Sequence, residues 1–226
     1  MRCLIGGLIV STTVLALPSI ASAQRVPDLA GNWIRGGGPI VFSQWELTEQ
    51  GQRKLKSYDF MKDDPDYGCI ASSWTRAWMN PNVLVRITQN ADSVRFQHEF
   101  MDIDRLIPLV DPKAANPKRS APVPKMPGIG RSAAWYDGDT LVVDTVGIPE
   151  GWMATMEQWA GLPQSPSMHT VARLRRSDTK LTIEITHTDP TYYRAPVVAT
   201  IPYQHTDWEL MKYDCKPEEA AVVAPK

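Results

Sequence analysis

Four histidines, His98, His169, His187 and His205, are the side chains whose ordinary pKa lies nearest neutrality and so could move a proton at physiological pH. His169 with Asp144 is the first candidate acid–base pair, and His98 with Glu99 the second: an imidazole transfers the proton while a carboxylate orients it. Arg76 and Arg105 could hold a ligand anion or a developing negative charge. Arg173, Tyr136, Trp152 and Trp159 complete the candidate ligand contacts. Each has a plainer reading. Asp144 could tie down loop backbone, Arg173 could pair with Glu184 across a hairpin, and the tryptophans could cap the end of a core. No metal site is expected, because no His-x-His or His-x-x-x-His spacing occurs, and no cofactor motif is present. A Gly-x-Ser-x-Gly elbow is missing, and Gly36-Gly37-Gly38 precedes a strand rather than a helix, so it is not a phosphate cradle.

The elements that must position these residues are short strands at close spacing. They are expected at Ile40–Phe42, Val83–Gln89, Ser93–Ile107, Arg131–Tyr136, Thr140–Val146, His169–Arg176, Lys180–Thr188, Val197–Tyr203 and Trp208–Asp214. Hairpin turns fall at Gln89-Asn90-Ala91-Asp92, Asp137-Gly138-Asp139 and Ser177-Asp178-Thr179. One helix is predicted from a Thr48 N-cap to about Tyr58, weakened by Gly51. Alternation puts His169 on one face with Val171, Arg173 and Arg175. The strand Thr140–Val146 is apolar on both faces, so Asp144 is expected to be partly buried. The fold class this implies is mainly β, an antiparallel barrel with one short helix and two long loops. The first loop, Asp111–Pro127, carries five prolines and is an extended excursion. The second, Glu150–Ser167, holds Trp152, Met153, Met156, Trp159 and Leu162, and reads either as a cap on the barrel or as a lid over a cavity.

The N-terminus reads as an export signal: Arg2, an apolar stretch from Cys3 to Leu17, and the small-residue site Ala21-Ser22-Ala23 before Gln24. The expected organisation is therefore a signal peptide over residues 1–23, a single β-barrel domain over residues 24–217 and a flexible tail over residues 218–226, in the periplasm or secreted. Removing Arg2 from 24 basic side chains leaves 23 against 25 acidic ones, a near-neutral surface with no basic face for nucleic acid. No remaining apolar run could span a membrane. Cys69 and Cys215 remain after cleavage. An even count in an oxidising compartment most simply pairs them, and two free thiols are the alternative.

Gly31-Asn32-Trp33 resembles the Gly-x-Trp signature of lipocalins. A longer set of blocks resembles a largely uncharacterised family of secreted Gram-negative bacterial proteins. These blocks are Asp63-Asp64-Pro65-Asp66…Cys69, Gly138-Asp139-Thr140-Leu141-Val142-Val143-Asp144-Thr145-Val146-Gly147, Met168-His169-Thr170-Val171-Ala172-Arg173-Leu174-Arg175-Arg176, Asp189-Pro190 and Trp208-Glu209-Leu210…Tyr213-Asp214-Cys215. The resemblance implies a compact lipocalin-like (calycin-type) domain with paired cysteines at Cys69 and Cys215. It brings no general activity, and it departs at Arg131, where the pattern has a histidine.

Three functions fit. The first is a carrier holding a small apolar or aromatic molecule in the barrel. The second is a cofactor-free lyase, isomerase or hydratase in the same cavity, with His169 as proton carrier and Asp144 or Glu99 as its partner. The third is an envelope assembly module with an exposed apolar patch instead of a cavity.

Overall fold

The computed structural model describes residues 26–216 except 37, 72, 81, 83, 120–125 and 155–160. The proposed export signal, Trp159 and the C-terminal tail lie outside the described residues.

Twelve described strands form two sheets. The larger contains β1 (Gly31–Ile34), β2 (Val41–Phe42), β3 (Leu84–Gln89), β4 (Ser93–His98), β5 (Ile103–Pro108), β6 (Arg131–Asp137), β7 (Thr140–Val146), β10 (His169–Ser177), β11 (Lys180–Thr188) and β12 (Val197–Thr206). Its antiparallel order is β5-β4-β3-β1-β12-β11-β10-β7-β6, with β2 added to β12. The smaller sheet is the hairpin of β8 (Gly151–Ala154) and β9 (Leu162–Gln164). The edge strands β5 and β6 are not joined by a ladder. They meet at one parallel bridge between Leu109 and Ala134, where the Val110 N–H donates to the Ala134 carbonyl at 2.8 Å. The structure is thus mainly β and antiparallel, a sheet curled until its edges touch.

All three expected hairpins are present, since their information is local. At Asp137-Gly138-Asp139 the turn uses Gly138 at φ +61, a backbone region favouring glycine. The predicted helix is α1 (Glu49–Lys56), where the Thr48 hydroxyl accepts the Gly51 N–H at 3.1 Å. Gly51, which weakens the helix by propensity, is required by packing: a Cβ there would lie 2.3 Å from the Tyr192 carbonyl oxygen.

Several expectations need correction. The stretch Ser93–Ile107 is two strands, because the chain kinks between β4 and β5, with Met101 and Asp102 at φ +56 and +49. Trp208–Asp214 is not a strand. Its backbone is held by carboxylates: Glu99 accepts the Met211 N–H at 2.7 Å, and Asp102 accepts those of Tyr213 and Asp214 at 2.9 and 3.1 Å. A single helix was also too few. The short α2 (Phe60–Asp63) follows α1, and α3 (Trp74–Met79) is buried along its whole length.

The position of α3 defines the interior. Trp74 lies edge-on to Phe96 of β4, Trp78 edge-on to Tyr203 of β12, and Thr75 contacts His187 of β11. The helix therefore occupies the concave face of the curled sheet, walled by residues such as Val85, Leu141, Val143, Leu174 and Ile183, all essentially inaccessible. A disulfide joins Cys69 to Cys215, which follows the last strand rather than lying on it. Closing a loop across a sequence separation of 146 is credited by chain entropy with about 5 kcal/mol.

Candidate functional site

Across β6, β7, β10 and β11 the concave face of the sheet carries one row of buried polar residues at a single level. Antiparallel register sets Ser132 opposite Thr145, Thr145 opposite Thr170, and Thr170 opposite His187, so four adjacent strands each contribute one polar residue. All four are buried. Alternation puts them on the inner face with Ala134, Val143, Ala172 and Ile185. Arg105 extends the row from the other edge of the sheet: its Nη2 donates to the Ser132 hydroxyl, which shares a hydrogen bond with Thr145. The guanidinium thus spans the seam between β5 and β6.

At the far end, His187 fixes its own tautomer. Its Nδ1 lies 2.9 Å from the Val197 carbonyl, which only accepts, so Nδ1 carries the proton. Nε2 then accepts from the Thr75 hydroxyl at 2.7 Å. Burial pushes this imidazole down to about 4, so it is neutral at pH 7.

Above the row sits an aromatic cluster. Arg105 lies 4.4 Å from the centre of the Trp74 ring. Trp74 and Trp78 are 5.3 Å apart, and His98 lies 5.3 and 4.6 Å from them. His98 and Arg105 are 1% and 2% exposed, and both indoles are inaccessible. Burial, opposed by the Ala77 carbonyl and assisted by Arg105, pushes His98 down to about 3. The ring faces that carbonyl, but neither of its nitrogens makes a hydrogen bond of good geometry. The same holds for the Trp74 and Trp78 Nε1 donors, Arg105 Nη1 and the Thr170 hydroxyl. No carboxylate among the described residues pairs with Arg105. Burial lowers its pKa to about 9, leaving it charged at neutral pH.

The proposed catalytic residues are not together. His169 Nε2 does meet Asp144 Oδ1, at 2.6 Å, so Asp144 holds a side chain rather than loop backbone. This pair sits on the outer face of the sheet, however, with the His169 side chain 42% exposed. The hydrogen bond to Asp144 raises the imidazole pKa, with burial opposing it. His98 is inside. Glu99 faces neither histidine, because it accepts the Leu84 N–H at 2.8 Å as well as that of Met211. Acid–base catalysis by all four in one cavity is therefore corrected: they occupy three separate places.

The ligand candidates divide similarly. Arg105 is interior. Arg76 lies on α3 but is locked between Asp64 and Asp66, and 2.9 Å separates its Nη2 from Asp64 Oδ1. Arg173 lies opposite Glu184, as expected, but its ion pair is with Asp137 at 3.4 Å on the outer face. Tyr136 accepts from Gln89 Nε2 at 2.7 Å, near the end of the sheet closed by Trp33. There the Trp33 indole donates to the Leu29 carbonyl at 3.0 Å, and Arg176 covers its ring at 5.4 Å. Trp152 is buried against Tyr58 and Lys54, and lines a cleft of about 510 Å³ with Ile70 and Pro149.

Trp74 and Trp78 were missed as site residues. Ser73, whose hydroxyl accepts the Arg76 N–H at 2.9 Å, and Pro81 in the sequence just past the end were legible as the start and stop signals of the helix, respectively. Among the described residues, no group of three or more His, Cys, Asp or Glu side chains forms a metal-ligand set, and no helix is long and apolar enough to cross a membrane.

No family model and no curated protein matches the chain. Among solved structures, it is similar to a REP1-NXSQ fatty acid transporter at 14% identity and TM-score 0.40, covering 80% of this chain and 98% of the other. The wild-type fluorescent protein UnaG aligns at 14% identity and TM-score 0.37, over 79% of this chain and 97% of its own. A secretary abundant heat soluble protein from Ramazzottius varieornatus aligns at 10% identity and TM-score 0.36, over 82% and 100%. At these values the likenesses carry no argument about activity.

Proposed function

We propose that this protein is an exported binding protein that holds a small apolar or aromatic molecule on the concave face of its curled, barrel-like sheet. The observation that carries the reading is the group of buried polar atoms on Trp74, Trp78, His98, Arg105 and Thr170 that make no hydrogen bond of good geometry among the described residues. Leaving such a group unsatisfied costs about 1–3 kcal/mol each, so five residues of this kind in one interior call for something that meets them. Aromatic and aliphatic walls with a few convergent polar groups are the usual make-up of a small-molecule site. Export is supported by the N-terminal sequence pattern and by the Cys69–Cys215 disulfide, which belongs to oxidising compartments.

Native mass spectrometry of the protein purified from its own cells tests the reading, with a denatured control. Release of an organic molecule of defined mass supports it. A protein at its bare mass that also takes up no aromatic or aliphatic probe on incubation overturns it.

A further inference from the structure

The unpartnered groups of the interior are not a random mixture of polar atoms. Arg105 Nη1 and the indole Nε1 atoms of Trp74 and Trp78 can only donate. They belong to side chains in mutual contact: Arg105 is 4.4 Å from the Trp74 ring centre, and the two indoles are 5.3 Å apart. The guanidinium carries a full charge inside a face whose other polar groups include hydroxyls and the two histidines His98 and His187, with no carboxylate among the described residues paired to it. Resting on the reading of the interior as a ligand site, we infer that its polar anchor is specific for an oxyanion, a carboxylate joined to an apolar or aromatic body.

The chemistry favours an anion over a neutral acceptor. A guanidinium presents its N–H groups in a planar fork that matches the two oxygens of a carboxylate. Ser132 already occupies Nη2, while Nη1 is unpartnered, and the neighbouring indoles offer two more donors. A neutral amide or alcohol would satisfy some of these donors but leave the buried charge uncompensated. Water would do the same. A carboxylate supplies both the acceptor oxygens and the opposite charge, so the site's own desolvation cost becomes the source of discrimination.

The test uses two probes with one aromatic body, 2-naphthoate and 2-naphthamide, followed by calorimetry and by quenching of tryptophan fluorescence. The expected result is that the purified wild-type protein binds the carboxylate about tenfold to a hundredfold more tightly than the amide. That preference should persist at about 0.5 M salt, because a buried pair is poorly screened. Arg105→Met should abolish the preference by weakening carboxylate binding far more than amide binding. If that variant does not fold, Trp74→Phe and Trp78→Phe serve instead, since each keeps the ring and removes one donor, and each should narrow the preference severalfold. Equal affinity for the two probes overturns the oxyanion anchor while leaving an interior ligand site standing. A preference that disappears at high salt also overturns it, by placing the anion on the surface. Failure of both naphthyl probes and of dodecanoate to bind overturns the ligand site itself.

Discussion

Two arginines of this protein are equally buried, at 2% exposure each, and are treated in opposite ways. Arg76 is enclosed by Asp64 and Asp66, two carboxylates from the turn just before its own helix. Arg105 has a hydroxyl and an aromatic face but no carboxylate among the described residues. The Asp64–Arg76–Asp66 cluster compensates the guanidinium charge, although Arg76 Nη1, like Arg105 Nη1, makes no hydrogen bond, and it adjoins the disulfide at Cys69, so it fixes the turn and α3 in place. The interior charge is incomplete, and stability alone gives no reason to keep it. On the proposed function, the second guanidinium is left for a group that the fold does not itself supply.

The largest expected effect breaks the first region. Arg76→Met strands two neighbouring carboxylates in a poorly solvated turn, where burial already pushes Asp66 up against the pull of Arg76. It should cost about 3–5 kcal/mol in urea denaturation. Arg105→Met removes an uncompensated charge from an apolar interior and should leave stability within about 1 kcal/mol, or raise it. If the two substitutions destabilise equally, the contrast is false and Arg105 is structural. Cys215→Ser comes next. It should cost about 2–5 kcal/mol and free the C-terminal segment that Glu99 and Asp102 hold, seen as faster amide exchange at residues 211, 213 and 214.

Acid sharpens the comparison from another side. His98 and His187 are held near 3 and 4 in the folded protein, below the ordinary 6.5 of the unfolded chain. The unfolded state therefore binds more protons below pH 6.5, and stability falls as pH falls from there toward 4. Each histidine should account for about 2 kcal/mol between pH 7 and pH 5. Urea midpoints at the two values measure the sum, and His187→Gln should remove about half of the slope. A flat profile would mean that the two rings are hydrated.

The sequence made the hairpins legible because a turn such as Asp137-Gly138-Asp139 carries its own geometry, and α1 because Thr48 caps it locally. What it hid depends on partners far along the chain. Ser93–Ile107 alternates like one strand, but Glu99 and Asp102 bind backbone more than 100 residues away and bend it. Trp208–Asp214 alternates as well, yet its N–H groups go to those carboxylates rather than to a neighbouring strand. The helix α3 is short enough for its Trp and Met residues to carry no clear period. His169 and Asp144 are candidate acid–base partners by sequence and do meet, but the side of the sheet they occupy was not legible. Val142 and Val143 make both faces of β7 apolar, so nothing in that strand marks which one is inside.

The smallest expected effect belongs to that outer pair. Because Asp144 raises the His169 pKa, its stabilising contribution is present below the unfolded value of about 6.5 and lost as pH rises through the folded one. The sign is opposite to that of the buried histidines. With the His169 side chain 42% exposed, solvent screens the interaction, and Asp144→Asn should cost less than about 1 kcal/mol. The same substitution should lower the imidazole titration followed by NMR while leaving naphthoate binding untouched, since the pair and Arg105 lie on opposite faces of the sheet. A large loss of binding in Asp144→Asn would show that the outer face is coupled to the interior. The interior would then no longer be the self-contained site that the contrast between the two arginines describes.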